Sequence, residues 1–188
     1  VSSYASAQHD RMLAGVVKAC YVVAVDLAAS PPVCRVSDGE WISAWVRWHS
    51  IAAGKARHWR APSMGEQGTL VSASGDVGQG TFIPGLYGNA GPPPDNRDHV
   101  EVWRFDDGGS LIYDWQAKSY SITLPSGTVT IKVASTEAVI TDSAVNVTTG
   151  NINLKAAVTI DGALHVTKGI TSAGAIIDAG GNSNHHTH

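Results

Sequence analysis

Between Tyr120 and Ile177 the chain alternates branched aliphatic residues with Thr, Ser, Asn or Lys, as in Val129-Thr130-Ile131-Lys132-Val133, Val145-Asn146-Val147 and Val158-Thr159-Ile160. Successive side chains of an extended backbone point to opposite sides, so a period of two predicts strands with one apolar and one polar face. Of the 19 large apolar residues in this stretch, 15 are Val or Ile, which suit a pleated surface. The leading apolar residues Ile152, Val158, Leu164, Ile170 and Ile176 then recur every six positions, the mark of a repetitive element built from very short strands.

Residues 119–188 contain one aromatic residue, Tyr120. So little bulk cannot build a compact core, and other chains must complete it. Three chains wound about a common axis, apolar faces inward, give a triangular β-prism without free edges along its length. The competing solution is a single-chain left-handed β-helix, as in trimeric hexapeptide-repeat acyltransferases. Against it, the residues after the leading positions are Asn153, Thr159, His165, Thr171 and Ile177, rather than the small residue that motif favours. A tail-fibre-like adhesin is a third possibility.

Composition changes near residue 118. All six tryptophans, both phenylalanines and seven of the eight prolines precede it, whereas residues 119–188 hold 11 of the 13 threonines and seven of the 29 charged residues. The first part predicts a short arm or helix over 1–14, in which Met12, Leu13, Val16 and Val17 could form a stripe interrupted by Gly15. A small barrel of the OB type is expected over 15–100, beginning with a hairpin of 22–27 and 33–36 across Ser30-Pro31-Pro32 and continuing with short strands at Leu70-Val71 and Phe82-Ile83. Trp41, Trp45 and Trp48 have helical spacing, but the Val46/Trp48 alternation and neighbouring turn residues favour a strand. Gly91-Pro92-Pro93-Pro94 reads as a stiff connector, and connecting strands over 101–118 turn at Asp107-Gly108. The expected class is all-β: an amino-terminal OB barrel, then a homotrimeric intertwined β-helix over 119–188.

Charge narrows the partners. Thirteen Lys and Arg oppose 16 Asp and Glu for a net charge of −3, with no run of five like charges, which disfavours a nucleic-acid binder. Apolar runs such as 21–25 fall far short of the ~20 residues that span a bilayer. No cationic-then-apolar leader opens the sequence, so synthesis in a cytoplasm is expected, with Cys20 and Cys34 as free thiols.

The chain ends Asn184-His185-His186-Thr187-His188. His186 and His188 project to the same side of an extended backbone and can direct two imidazoles to one point. Three chains meeting on an axis would offer six nitrogens, an octahedral shell suited to a first-row transition metal such as iron or nickel. A solvated polar tail is the plainer alternative, and His185 points the other way. Gly75-Asp76-Val77-Gly78-Gln79-Gly80 lacks the Gly-Lys-Ser/Thr of a phosphate loop and reads as a turn. Glu66, Asp76, Asp95 and Asp98 could serve as acid and base but read as surface carboxylates, and His165 reads as an exposed imidazole on an alternating strand. No nucleophile with a paired base is legible, so no enzyme is expected.

Taken in order, these segments resemble the phage baseplate assembly protein V family, the central spikes of contractile tails of P2-like and Mu-like phages and of R-type pyocins. The likeness is carried by Val22-Val23-Ala24-Val25-Asp26, Trp45-Val46-Arg47, Trp59-Arg60-Ala61-Pro62-Ser63-Met64-Gly65-Glu66-Gln67, Ser74-Gly75-Asp76 and Ile83-Pro84-Gly85-Leu86-Tyr87-Gly88. It continues through Asp107-Gly108-Gly109, Tyr113-Asp114, Leu124-Pro125-Ser126-Gly127 and Gly162-Ala163-Leu164-His165-Val166 to His186-Thr187-His188. The resemblance implies a homotrimer assembled into a virion or bacteriocin baseplate, with OB domains on a hub protein. Its β-helical point would be driven through the target outer membrane by sheath contraction, and one iron ion per trimer would be held at the apex by His186 and His188 of each chain.

Overall fold

The computed structural model describes residues 3–174. Two compact units meet in sequence between Pro125 and Ser126. The first opens with helix α1 (Ser3–Val16), followed by β1 (Val17–Asp26), β2 (Val33–Ser37), β3 (Gln67–Val71) and β4 (Thr81–Leu86). These strands form one antiparallel sheet in the order β2-β1-β3-β4. Alternate residues turn inward, and Cys20, Val22, Cys34, Val36, Val46, Leu70 and Phe82 make the buried core. The expected hairpin across Ser30-Pro31-Pro32 is the β1–β2 pair, with a bulge between Val22 and Ala24 that bends β1.

The Trp41–Trp48 segment closes the sheet into a barrel, although it forms isolated bridges rather than a regular strand. Val46 exchanges backbone hydrogen bonds with Cys34 of β2, at 2.8 and 2.9 Å. A few residues later, the amide of Phe82 in β4 donates to the carbonyl of Arg47, and the amide of His49 donates back to Phe82. The bridge to β2 is antiparallel and that to β4 is parallel. With this irregular third strand counted, the circuit runs 1-2-3-5-4 and back to 1, the small Greek-key barrel of the OB type, and both sheet edges are satisfied. Lys18 lies over the Trp41 ring and Arg35 over the Trp45 ring, at 4.7 and 5.0 Å, which ties the outer side of the segment to the barrel wall.

Three glycines fix the packing. Gly68 faces Phe82 so closely that a Cβ there would sit 2.6 Å from two ring carbons. Gly15, read from sequence as the end of the arm, lies in the last turn of α1, one residue before its end. A Cβ on it would collide with the Gly75 carbonyl, and one on Gly75 (φ +72°) would collide with the Met12 carbonyl. Its role is close backbone approach, sealed by the Ser72 amide donating to the Val16 carbonyl at 2.8 Å. The Gly75–Gly80 segment is accordingly a β3–β4 turn, with Asp76 Oδ1 accepting from the Gly78 amide.

Beyond the proline connector, β5 (Val100–Arg104), β6 (Ser110–Asp114) and β7 (Ser119–Thr123) form an antiparallel meander. The Asp107-Gly108 turn is where the sequence places it, with Gly108 at φ +88°. Arg97 bonds Asp95 at 2.8 Å and Asp114 of β6 at 3.2 Å, fastening the connector to the meander. The meander crosses the compositional change near residue 118.

The second unit contains β8 (Val129–Val133), β9 (Thr136–Ile140) and β10 (Val145–Thr148), paired antiparallel in the order β10-β9-β8. From residue 151 to 174 no strand ladder forms among the described residues.

Candidate functional site

Register converts the alternation of the second unit into two chemically distinct faces. Ile131 stands opposite Ala138, which stands opposite Val147; Val129 stands opposite Ile140, which stands opposite Val145. With Val133 these residues make a mainly apolar face, on which Thr136, opposite Val133, is the polar member. The other face carries Thr130, Lys132, Glu137, Asn146 and Thr148 around a single half-buried aliphatic residue, Val139, with Lys132 and Glu137 3.8 Å apart.

In one chain the apolar face is bare: Ile131 is 61% exposed, Val133 72% and Val145 68%. Aliphatic surface on this scale costs roughly 25 cal/mol per Å² in water, and a single three-stranded sheet has nothing to cover it with. The same holds for Ile152, Leu154, Val158, Ile160, Leu164, Val166 and Ile170, all exposed along a segment that lacks ladder partners of its own. Apolar side chains and backbone donors and acceptors are both left to be satisfied from outside the chain.

The β5–β7 meander has the same character. Glu101, Tyr113 and Tyr120 align across the three strands, as do Trp103, Leu111 and Ile122, so six residues distant in sequence share one face. Trp103 is 44% exposed and Tyr120 62%; the indole Nε1–H of Trp103 donates to Glu101 at 3.1 Å. This aromatic face is absent from the sequence reading, which treated 101–118 as connecting strands. The signal was available: Trp103, the pair Leu111 and Tyr113, and the pair Tyr120 and Ile122 each keep to alternate positions of their own strand, and the turns at Asp107-Gly108 and around Lys118 bring them into line.

The sequence-derived metal ligands His186 and His188, with His185 beside them, lie outside the described residues. Among the described residues no cluster of three or more His, Cys, Asp or Glu side chains is placed to hold a metal. The four carboxylates considered for acid–base chemistry are each engaged locally. Glu66 receives paired hydrogen bonds from Arg60, at 2.9 and 2.5 Å, and one from the Ser63 amide. Burial alone would raise its pKa, but these donors hold it below the usual carboxylate range. Asp95 is held low by Arg97, and Asp98 by His99. Asp76 shapes its turn. His165 is exposed. Cys20 and Cys34 are free thiols buried in the barrel, pushed up to about 11 chiefly by burial, so neither is poised as a nucleophile.

Comparison with known proteins finds two matched regions in the chain. Residues 18–87 match the type VI secretion system/phage-baseplate injector OB domain, and residues 101–172 match the Gp138 β-helical trimerization domain. The second match takes in the meander as well as the repetitive segment. The spike protein of Escherichia phage P2 is 30% identical over an alignment covering 91% of this chain and 82% of that protein.

Proposed function

The chain belongs to the phage baseplate spike family, and from that premise we propose that three copies form the central, membrane-piercing spike of a contractile tail. It is a structural protein rather than an enzyme, which sets aside the acyltransferase alternative. It assembles as a homotrimer into the virion baseplate. In the proposed mechanism the OB barrels attach to a hub protein, and the β-helical part crosses the target outer membrane when the sheath contracts. Synthesis in the cytoplasm of the bacterial host precedes assembly.

The observation that carries this reading is the one-sided apolar face of β8–β10. Three such faces turned to one axis form a dry interior, and the opposite faces, Val139 apart, present Thr, Asn and paired charge to water. The extended segment that follows would gain its backbone partners from the neighbouring chains, producing a rod whose hydrogen bonds run around the axis. Such a rod cannot bend without breaking interchain ladders, and stiffness is what a passive point driven by an external motor requires. Low charge along 119–188 reduces the cost of entering a bilayer.

At the apex, His186 and His188 of three chains would bind one iron ion through six imidazoles and so tie the three chains together. The i, i+2 spacing at the end of a threefold rod supports this assignment.

The test is mass and metal content together. Light scattering of the purified chain should give a trimer, and elemental analysis about one iron per trimer, the count for six converging imidazoles. His186→Ala with His188→Ala should remove the metal and keep the trimer. Because neutral imidazole is the ligand, acid should release the metal as the histidines protonate, starting below about pH 6.5 and delayed by the binding energy. A monomer would overturn the spike; metal retained in the double variant would overturn the histidine assignment alone.

A further inference from the structure

The barrel carries a surface that the spike reading does not use. Residues 41–65 contain four of the six tryptophans and four cations, Arg47, Lys55, Arg57 and Arg60, without one Asp or Glu, in a chain whose net charge is −3. Folding gathers part of this segment around a groove of about 430 Å³ lined by Pro31, Pro32, Arg47, Trp48, Arg57 and Trp59 among others. No carboxylate lines it.

The walls are preorganised. Trp48 and Trp59 pack with ring centroids 5.7 Å apart, yet Trp59 remains 64% exposed. Arg57 Nε donates to the Gly54 carbonyl at 3.3 Å. Arg60 is neutralised by Glu66, but among the described residues neither Arg47 nor Arg57 has a carboxylate partner. Two arginines without counter-ions beside two indoles and two prolines are unusual for a surface that faces only water, since Trp and Arg are the residues that most often anchor interfaces.

We propose that this groove docks an acidic, extended segment of a baseplate protein partner, its carboxylates meeting Arg47 and Arg57 and its apolar or proline residues lying on Trp48 and Trp59. This names the partner chemistry for the docking reading above and rests on it. A protein segment fits better than a polyanion: the unpaired charges are local rather than a track, and a net-negative chain repels a nucleic acid at long range. Three grooves per trimer add avidity, so each can be individually weak.

The experiment uses the full-length trimer with two readouts. In the first, fluorescein-labelled (Glu-Pro)4 is titrated against the trimer by anisotropy, beside (Gln-Pro)4 and an oligo-dT 12-mer. Saturable binding of the Glu peptide is expected, absent for the Gln peptide and weakened roughly tenfold by Arg47→Gln with Arg57→Gln or by Trp59→Ala. Raising NaCl from about 50 to about 500 mM should weaken it further by screening. In the second, the hub protein of the same tail is captured by the wild-type trimer and by the variants. Loss of capture in the arginine double variant, with trimeric mass retained, supports the groove. Unchanged capture overturns the groove while the docking reading stands; failure of the wild type to capture the hub overturns the docking reading itself. Tighter binding of oligo-dT than of the Glu peptide, no binding of the Glu peptide, or dissociation of the trimer in the double variant would each overturn the proposal, the last by making the groove a contact between copies.

Discussion

Replacing Ile131 with Asp isolates the apolar face of β8–β10 from everything else in the chain. Fully burying an isoleucine is worth roughly 1.5–3 kcal/mol, and Ile131 is 61% exposed in one chain, which leaves roughly 0.9–1.8 kcal/mol per chain, or about 3–5 kcal/mol per trimer, to be gained on assembly. Ile131→Asp forfeits that gain and sets three carboxylates in one dry layer, each with an effective desolvation penalty of several kcal/mol and no partner. The sum is on the order of 10 kcal/mol, or about seven powers of ten in the assembly constant. Thr130, one residue away, points to the face of Lys132, so Thr130→Asp should change stability by only about 0.5 kcal/mol. Light scattering across a dilution series should find Thr130→Asp trimeric and Ile131→Asp monomeric or aggregated. A stable Ile131→Asp trimer, or equal dissociation of both variants, would refute the assignment of the inward face. The same contrast should hold between Ile160→Asp and Thr159→Asp, where only the sequence alternation sets the faces.

The barrel yields three further predictions. Gly68→Ala should destabilise it by about 1–3 kcal/mol in chemical denaturation, because the added methyl collides with the Phe82 ring and the Ile83 carbonyl. Cys20 and Cys34 should resist a thiol reagent at pH 8 in the native trimer and react fully in denaturant, since burial pushes both up to about 11. Glu66 is held below its ordinary pKa, so its contribution to barrel stability is complete above about pH 4.3, the unfolded value, and is lost as pH falls through the lower folded value. Glu66→Gln should therefore flatten that part of the acid limb in thermal melts recorded against pH.

The period of two in Val129–Val133 and Val145–Val147 determined strand, faces and the need for other chains, because alternation is a property of the extended backbone and requires no knowledge of partners. The β1–β2 hairpin was legible for a similar reason: Ser30-Pro31-Pro32 allows little but a turn. What only the tertiary structure decided was pairing between distant segments. Trp41, Trp45 and Trp48 fit helix and strand alike by spacing; the bridges from Val46 to Cys34 and from Trp48 to Phe82 settled them as the irregular strand that closes the barrel. Gly15 reads as a helix stop and α1 does end beside it, but its second role, the contact point for Gly75 some sixty residues away, is invisible in sequence. Glu101, Trp103, Leu111, Tyr113, Tyr120 and Ile122 became one face only through the registers of two hairpins, and the groove between Pro31 and Trp59 exists only because the barrel closes. Local periodicity is written in the backbone's own geometry. Register and closure come from long-range hydrogen bonds and contacts, whose partners no window of sequence contains.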